Sequence, residues 1–227
     1  MISPNRFPEL DAWRGLAVIG MIVFHVGFLL DYFGMTQVDY FEGEWHALAR
    51  AVQWSFLLLV GIGMQISFQK STVQKKEKMV FLGRNIKKSL IVLTAALMVN
   101  LFSWILDPDA YIRFGVLHLI GFSMMCLGFL VDRPRGALFL AAVFYLLSFP
   151  ISEATVASSW LLIFGFEPPV FVSLDYFPIF PWMGIPAFGI WVGNLLYKNC
   201  QRQYRWPEFI NTLKPTIILA AIGKKSL

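Results

Sequence analysis

The sequence has few charges, few cysteines and few histidines for its 227 residues. Charged residues make up only 15% of the chain and hydrophobic residues 57%, whereas an ordinary soluble domain has about 25% charged and about 45–50% apolar residues. This balance excludes an ordinary soluble domain and a disordered chain. We therefore predict an integral membrane protein with a single transmembrane domain over residues 1–227.

The scarce residue types also exclude several kinds of site. Two cysteines, Cys126 and Cys200, are too few for a disulfide framework and lack the spacing of a metal site, so we predict no metal. The net charge of +5 does not indicate a nucleic-acid partner, because the basic residues lie between apolar runs rather than along one face. No small-residue cleavage site follows the first apolar run, so we expect no cleaved signal peptide.

Six apolar segments are long enough, or nearly so, to cross a membrane, which takes a helix of about 20 residues for a core of about 30 Å. An eight-residue run from Pro215 to Ile222 is too short to span. The predicted fold is an all-α polytopic bundle of six spans. The spans cover residues 12–31, 47–68, 86–106, 112–131, 136–151 and 176–197.

The sixth span and the long connection before it both contain features that depart from a regular spanning helix. Pro178, Pro181 and Pro186 predict a kink or break in the sixth span. The long connection 152–175 holds an apolar stretch, 158–166, that is too short to span, and we interpret it as a re-entrant or interfacial piece.

The few charges are sorted by connection, with basic and acidic loops alternating. Only Arg50 and Arg113 fall among the acidic connections, and Lys224 and Lys225 are not assigned to a side. The positive-inside rule then predicts a cytoplasmic N-terminus. The basic residues of the inner side are Arg6, Arg14, Lys70, Lys75, Lys76, Lys78, Arg84, Lys87, Lys88, Arg133, Arg135, Lys198, Arg202, Arg205 and Lys214.

Ionisable side chains inside spans are costly and indicate function by default. Arg14 and His25 are eleven residues apart, so both lie on one face of the first helix, separated by roughly 16 Å along its axis. Two structural interpretations stay open. Arg14 can anchor the helix at the inner surface, paired with Asp11, and His25 can form an interhelical hydrogen bond.

All three histidines of the chain fall towards the outer side. His46 begins the second span, His118 lies early in the fourth, and Asn100 is in the outer third of the third span. Polar groups from four helices are thus predicted at similar depth. An imidazole partly removed from water stays neutral and can accept a proton, as a general base must.

Three blocks of sequence, in order, run from Leu10 to His25, from Gly115 to Gly121 and from Asp175 to Gly184. Together they resemble the heparan-alpha-glucosaminide N-acetyltransferase catalytic-domain family of transmembrane acyltransferases. The spacing of Arg14 and His25 is also similar to that of the acyltransferase-3 family. The stretch from Leu219 onward resembles the start of a further family helix, which would be a seventh.

The resemblance implies transfer of an acetyl group from cytoplasmic acetyl-CoA to an amino or hydroxyl group of an extracytoplasmic sugar or glycan. Arg14 would then lie near the CoA phosphates, Asn100 would add a second cofactor-binding residue, and His25 would act near the thioester as general base. Transient acetylation of a histidine is the alternative chemistry. In the lysosomal branch of the family the catalytic histidine lies in the first outward loop. His46 is therefore the second candidate and His118 the third.

Asp175, at the start of the third block, completes the predicted catalytic set. The resemblance further implies a lipid bilayer as environment and allows a homodimer. We expect the protein in a prokaryotic cytoplasmic membrane. Two other functions stay open: a small transporter or channel with a polar site at its outer side, and a structural subunit with buried polar residues and no chemistry.

Overall fold

The computed structural model describes residues 7–36, 42–154, 156, 159–169, 171–204 and 219–223. Contacts divide the chain into two compact units. The first comprises Met1–Leu59 and Tyr204–Leu227, and the second Val60–Gln203. Within the described residues, five helical segments are long and apolar enough to cross a membrane, one of them being Ile179–Leu196 taken as a whole.

The described chain is predominantly helical, as predicted. Two short strands, β1 (Tyr197–Lys198) and β2 (Gln201–Arg202), form an antiparallel hairpin. The helices are α1 (Pro8–Tyr32), α2 (Gly43–Val73), α3 (Lys78–Leu106), α4 (Val116–Leu127), α5 (Pro134–Glu153), α6 (Ile179–Trp182) and α7 (Gly184–Leu196).

Five of the six predicted spans coincide with α1, α2, α3, α5 and the α6–α7 pair. The fourth is shorter than predicted. Helix α4 has 12 residues and continues as one 3-10 turn over Gly128–Leu130. Residues 112–115 are not helical, because their backbone groups bond to other segments: Asn100 donates to the carbonyl of Ile112 at 2.7 Å, and Phe177 donates to that of Phe114 at 2.8 Å.

The sixth span is broken at its prolines, as predicted. Phe180 has non-helical backbone angles (φ −96°, ψ 124°) inside α6, and Met183 separates α6 from α7. Proline has no N–H to donate to the helix, so the prolines here favour a break. The apolar stretch in the preceding connection forms a 3-10 helix over Ser159–Phe164, in which Trp160 is 84% exposed.

In the first unit α1 runs antiparallel to the first half of α2. The indole of Trp13 donates to Ser55 Oγ at 3.1 Å, and a Cβ added at Gly20 would meet Val52 and Leu48. Residues 219–223 are helical and lie against the start of α1. A Cβ added at Gly15 would overlap the backbone there, so this contact requires a residue with no side chain.

In the second unit small and polar residues join α3 to α4 and α2 to α7. Asn85 Nδ2 donates to the carbonyl of Met124, and Ser89 Oγ donates to the carbonyl of Gly121 at 2.6 Å. The second half of α2 meets α7 at Gly61, where an added Cβ would lie 2.0 Å from the carbonyl oxygen of Pro186. Such close approach of backbones is typical of helix association in lipid.

One end of the second unit collects its basic residues other than Arg113, and we call it the basic end. Lys78, at the start of α3, donates to the carbonyl of Phe129 and forms an ion pair with Asp132 at 2.7 Å. At the end of α2, Gln69 Oε1 accepts from the backbone N–H of Cys200 in the β1–β2 turn. These contacts bring the loops α2–α3 and α4–α5 and the hairpin to one end, as the alternating charges predicted.

The Lys78–Asp132 pair predicts a pH dependence of stability. Desolvation by itself raises the pKa of Asp132, but the hydrogen bond and charge of Lys78 and the charge of Arg133 outweigh it, so this pKa lies below 3.8. A lowered carboxylate pKa contributes stability above its unfolded value, and this stability is lost as the pH falls through the folded value. We expect Asp132→Asn to lower the melting temperature in micelles slightly at pH 7, and the difference to vanish well below pH 3.8. If the difference in melting temperature between the two proteins stayed the same in acid, the Lys78–Asp132 pair would not be its cause.

Candidate functional site

Helix α1 carries two of the predicted site residues on one unbroken helix. His25 is exposed, and its Nδ1 lies 2.8 Å from the backbone carbonyl oxygen of Met21. A carbonyl oxygen can only accept, so Nδ1 must carry a proton. In the neutral ring the lone pair is then on Nε2, which makes Nε2 the atom able to take up a proton.

Arg14 is engaged at the other end of α1. Its Nη1 lies 2.9 Å from Asp11 Oδ1, and both side chains are largely buried. This ion pair is the structural alternative considered from the sequence. Because a carboxylate already neutralises part of the guanidinium charge, Arg14 offers less free charge to a CoA phosphate than an unpaired arginine would.

His46 lies in the first turn of α2, and its Nε2 accepts a hydrogen bond of 2.9 Å from Arg50 Nε. The antiparallel register of α1 and α2, in which Trp13 meets Ser55, puts His25 level with this first turn. The first unit therefore holds both histidines at one level. Their chemistry differs, because the Nε2 lone pair of His46 is occupied by Arg50.

The remaining predicted residues belong to the second unit, at the end opposite its basic end. Here residues 110–116, which run up to the first residue of α4, pair with residues 173–177, before α6, and we call this pairing the clasp. Leu174 donates to the carbonyl of Ala110 at 2.9 Å, and Phe114 and Tyr176 form a parallel bridge. Ser173 Oγ accepts from the N–H of Arg113 and lies within hydrogen-bonding distance of the carbonyls of Tyr111 and Asp175.

Asn100 holds the clasp against α3. Its Nδ2 donates to the carbonyl of Ile112 at 2.7 Å, and the N–H of Ile112 donates to Ser103 Oγ at 3.1 Å. Asn100 thus positions a loop. Its predicted contact with the cofactor stays a prediction.

Asp175 caps helix α4. Its Oδ2 accepts from the N–H of Val116 at 2.9 Å, satisfying one of the unpaired donors at the helix start. A Cβ added at Gly115 would lie 2.3 Å from this oxygen, which is why the clasp needs glycine there. One turn later His118 is buried, and its ring packs 5.6 Å from that of Phe114. Asn100, Asp175 and His118 are therefore gathered around the clasp.

The capping contact predicts different results for two substitutions of Asp175. Asp175→Asn keeps an acceptor oxygen, so we expect stability and turnover close to those of the wild type. Asp175→Leu removes the acceptor and should lower the free energy of unfolding by about 0.5–2 kcal/mol, the usual cost of losing a helix cap. Thermal unfolding in micelles and acetyl transfer by the same samples would measure both. Loss of transfer by Asp175→Asn at unchanged stability would assign the carboxylate a catalytic role instead.

Two features of the second unit were missed at the sequence level. Gln65 and Asn194, both in spans, form a side-chain hydrogen bond of 3.3 Å. A polar residue within a span is itself the signal, and both could have been found by it. The second missed feature is Arg113, which the sequence analysis noted only as an exception to the alternation of basic and acidic connections. Its guanidinium lies over the rings of Tyr111 and Phe171, at 5.1 and 5.4 Å from their centroids.

Comparisons with known proteins identify the family. Neither the curated proteins nor the solved structures contain a match to this chain. The family model described as heparan-alpha-glucosaminide N-acetyltransferase, catalytic, matches residues 6–227, nearly the whole chain. With its apolar helices long enough to span, the chain is thus a membrane protein that belongs to this family of acetyltransferases.

Proposed function

We propose that this protein transfers an acetyl group from acetyl-CoA on the cytoplasmic side of a prokaryotic cytoplasmic membrane to an amino or hydroxyl group of a sugar on the other side, with His25 as general base. The N-terminus is cytoplasmic in this proposal, as the positive-inside rule predicts. Arg14 then lies towards the donor and His25 towards the acceptor, about 16 Å apart along α1.

The observation that carries the proposal is the hydrogen bond from His25 Nδ1 to the carbonyl of Met21. It fixes the tautomer and directs the Nε2 lone pair away from its own helix backbone. His46 lies level with His25 but has its Nε2 engaged by Arg50. For this reason His25 ranks above His46, while His118, buried against Phe114, ranks third.

The transfer needs one proton to move twice. His25 Nε2 takes the proton from the acceptor N–H or O–H while the acceptor heteroatom forms a bond to the acetyl carbonyl carbon. The carbon–sulfur bond then breaks, the sulfur leaves with the bonding electron pair, and the imidazolium returns the proton to it. A positioned base of this kind contributes about 10²–10⁴-fold to the rate.

Two groups of basic residues are candidates for binding the nucleotide end of CoA, one in each unit. Arg14 in the first unit shares its charge with Asp11, whereas several lysines of the second unit are exposed. An ammonium group binds phosphate as a point charge and needs no fixed geometry. Arg14 has a contributory role in this proposal. The exposed lysines of the second unit are separate candidates: Lys75 and Lys76 in the α2–α3 connection, and Lys87 and Lys88 on α3.

A sided assay tests this function. The purified chain is reconstituted in liposomes that contain glucosamine, acetyl-CoA is added outside, and free CoA thiol is measured with a chromogenic disulfide. We expect thiol release that depends on protein and on the enclosed amino sugar, with acetyl-CoA binding detectable by calorimetry. Absence of acetyl-CoA binding would overturn the proposal. Uptake or efflux of a solute without CoA would instead support a transporter.

A further inference from the structure

Arg113 is the feature of the second unit that the proposed transfer chemistry does not use. Its side chain is half-buried, and its Nε is buried without a hydrogen-bond partner. Within the part of the chain that the structure describes, no carboxylate forms an ion pair with it. A cationic group held in this way lacks the anion that would compensate its removal from water.

The clasp holds Arg113 at the level of the last turns of α3. The neighbouring Ile112 is bonded through its carbonyl to Asn100 and through its N–H to Ser103. Asn100 lies six residues before the helix end at Leu106, which is about 9 Å along the axis. The uncharged part of α3, from Ser89 to Leu106, is about 27 Å long, close to the hydrocarbon thickness of a bilayer. Arg113 therefore lies about 9 Å inside this end of the hydrocarbon, a depth from which a side chain as long as arginine can reach the headgroups.

The surroundings of Arg113 are aromatic and apolar. Tyr111 and Phe171 contact the guanidinium, and Phe171 in turn packs against Tyr176 with ring centroids 4.7 Å apart. Rings over a guanidinium leave its edge N–H groups as the donors available to a ligand. Beside it, Val172 and Leu174 are 58% and 48% exposed, so apolar side chains face outward next to the cation.

We propose that Arg113, Tyr111 and Phe171 bind the phosphate of a membrane lipid. Phosphate is the anion that a bilayer presents in the headgroup layer within reach of Arg113, and the guanidinium edge matches its oxygens in a two-pronged contact. The exposed Val172 and Leu174 suit the lipid chain. A soluble sugar acid would need neither the depth nor the apolar surface. This phosphate site does not depend on the proposed acetyl transfer.

Native mass spectrometry of the full chain in micelles tests the site, with dioleoyl phosphatidic acid and dioleoylglycerol as probes. We expect phosphatidic acid to be retained and dioleoylglycerol not. Arg113→Gln should lower retention of phosphatidic acid by about tenfold or more, because the substitution removes a charge-assisted hydrogen bond to the phosphate. Arg113→Lys keeps the positive charge and should keep part of the retention of phosphatidic acid. Arg135→Gln, which removes an exposed charge at the basic end, is the matched control and should change nothing.

Three results would overturn the inference. Equal retention by Arg113→Gln and wild type would exclude Arg113 as the ligand. Equal loss in Arg135→Gln would reduce the effect to net charge. Displacement of phosphatidic acid by millimolar inorganic phosphate would indicate a soluble anion as occupant.

Acetyl-CoA binding by the same samples separates the two proposals, because lipid retention without acetyl-CoA binding would overturn only the acetyltransferase function. Thermal unfolding confirms that each variant is folded, and Arg113→Lys supplies a second readout if Arg113→Gln is not.

Discussion

Replacing His25 by Ala is expected to lower acetyl transfer by at least about 10²-fold while leaving acetyl-CoA binding unchanged. The reason is local. The Nδ1–H of His25 is held by the carbonyl of Met21, so the imidazole presents Nε2 as base, and alanine removes that base without touching a buried contact. The exposed position of His25 means that stability should stay close to that of the wild type. Turnover in the sided liposome assay and calorimetric acetyl-CoA binding give the two measurements.

His46→Ala is the matched control for this result. His46 is level with His25 but its Nε2 accepts from Arg50, so its loss should lower transfer far less. If His46→Ala abolished transfer and His25→Ala did not, the base would be His46 instead of His25. Unchanged turnover in both variants would exclude both histidines of the first unit as the base and leave His118 as the remaining histidine.

The second large effect is expected at Gly61. A Cβ there would lie 2.0 Å from the carbonyl oxygen of Pro186 and 2.9 Å from Gly189, and both obstacles are backbone atoms that no rotamer change can move. Gly61→Ala should therefore force α2 away from α7 and lower the free energy of unfolding by about 1–3 kcal/mol, as overpacking does. Thermal unfolding in micelles measures the loss.

Gly83→Ala is its control on a neighbouring helix. Gly83 is exposed on α3, and a Cβ there meets nothing within 4 Å. Alanine should stabilise the helix by about 0.5–1 kcal/mol, because glycine loses more backbone entropy on folding. Equal effects of the two substitutions would show that helix propensity, and not the contact of α2 with α7, determines the result at Gly61.

Hydrophobic length and charge were enough to predict most of the helices, since a span must be apolar over its whole length. The incorrect predictions concern segments whose structure depends on hydrogen bonds to distant parts of the chain. The start of α4 was placed four residues too early because the backbone of 112–115 bonds to α3 and to residues 173–177, which a single sequence does not reveal. The β1–β2 hairpin was also missed, because its turn places Asn199 and Cys200 at positive φ, where cysteine is an unusual choice.

The candidate site was only partly predictable for the same reason. Residue type and spacing pointed to His25 and Arg14, since both lie on one helix whose geometry is known in advance. The partner of Arg14 was also foreseen, because Asp11 is one turn away. The contacts of Asn100 and Asp175 join segments that are 12 and 59 residues apart, and neither could be derived from periodicity.

The clasp also sets an order of events during biogenesis. Helix α4 is short, and the acceptor for the N–H of its first residue is on Asp175, 59 residues later in the chain. At a synthesis rate of about 5–20 residues per second, roughly 3–12 s separate the emergence of the two partners. During that interval the membrane holds α4 with its first turn uncapped. The cap of this helix is therefore completed only after α5 has been made and the segment before α6 has reached the same side of the membrane.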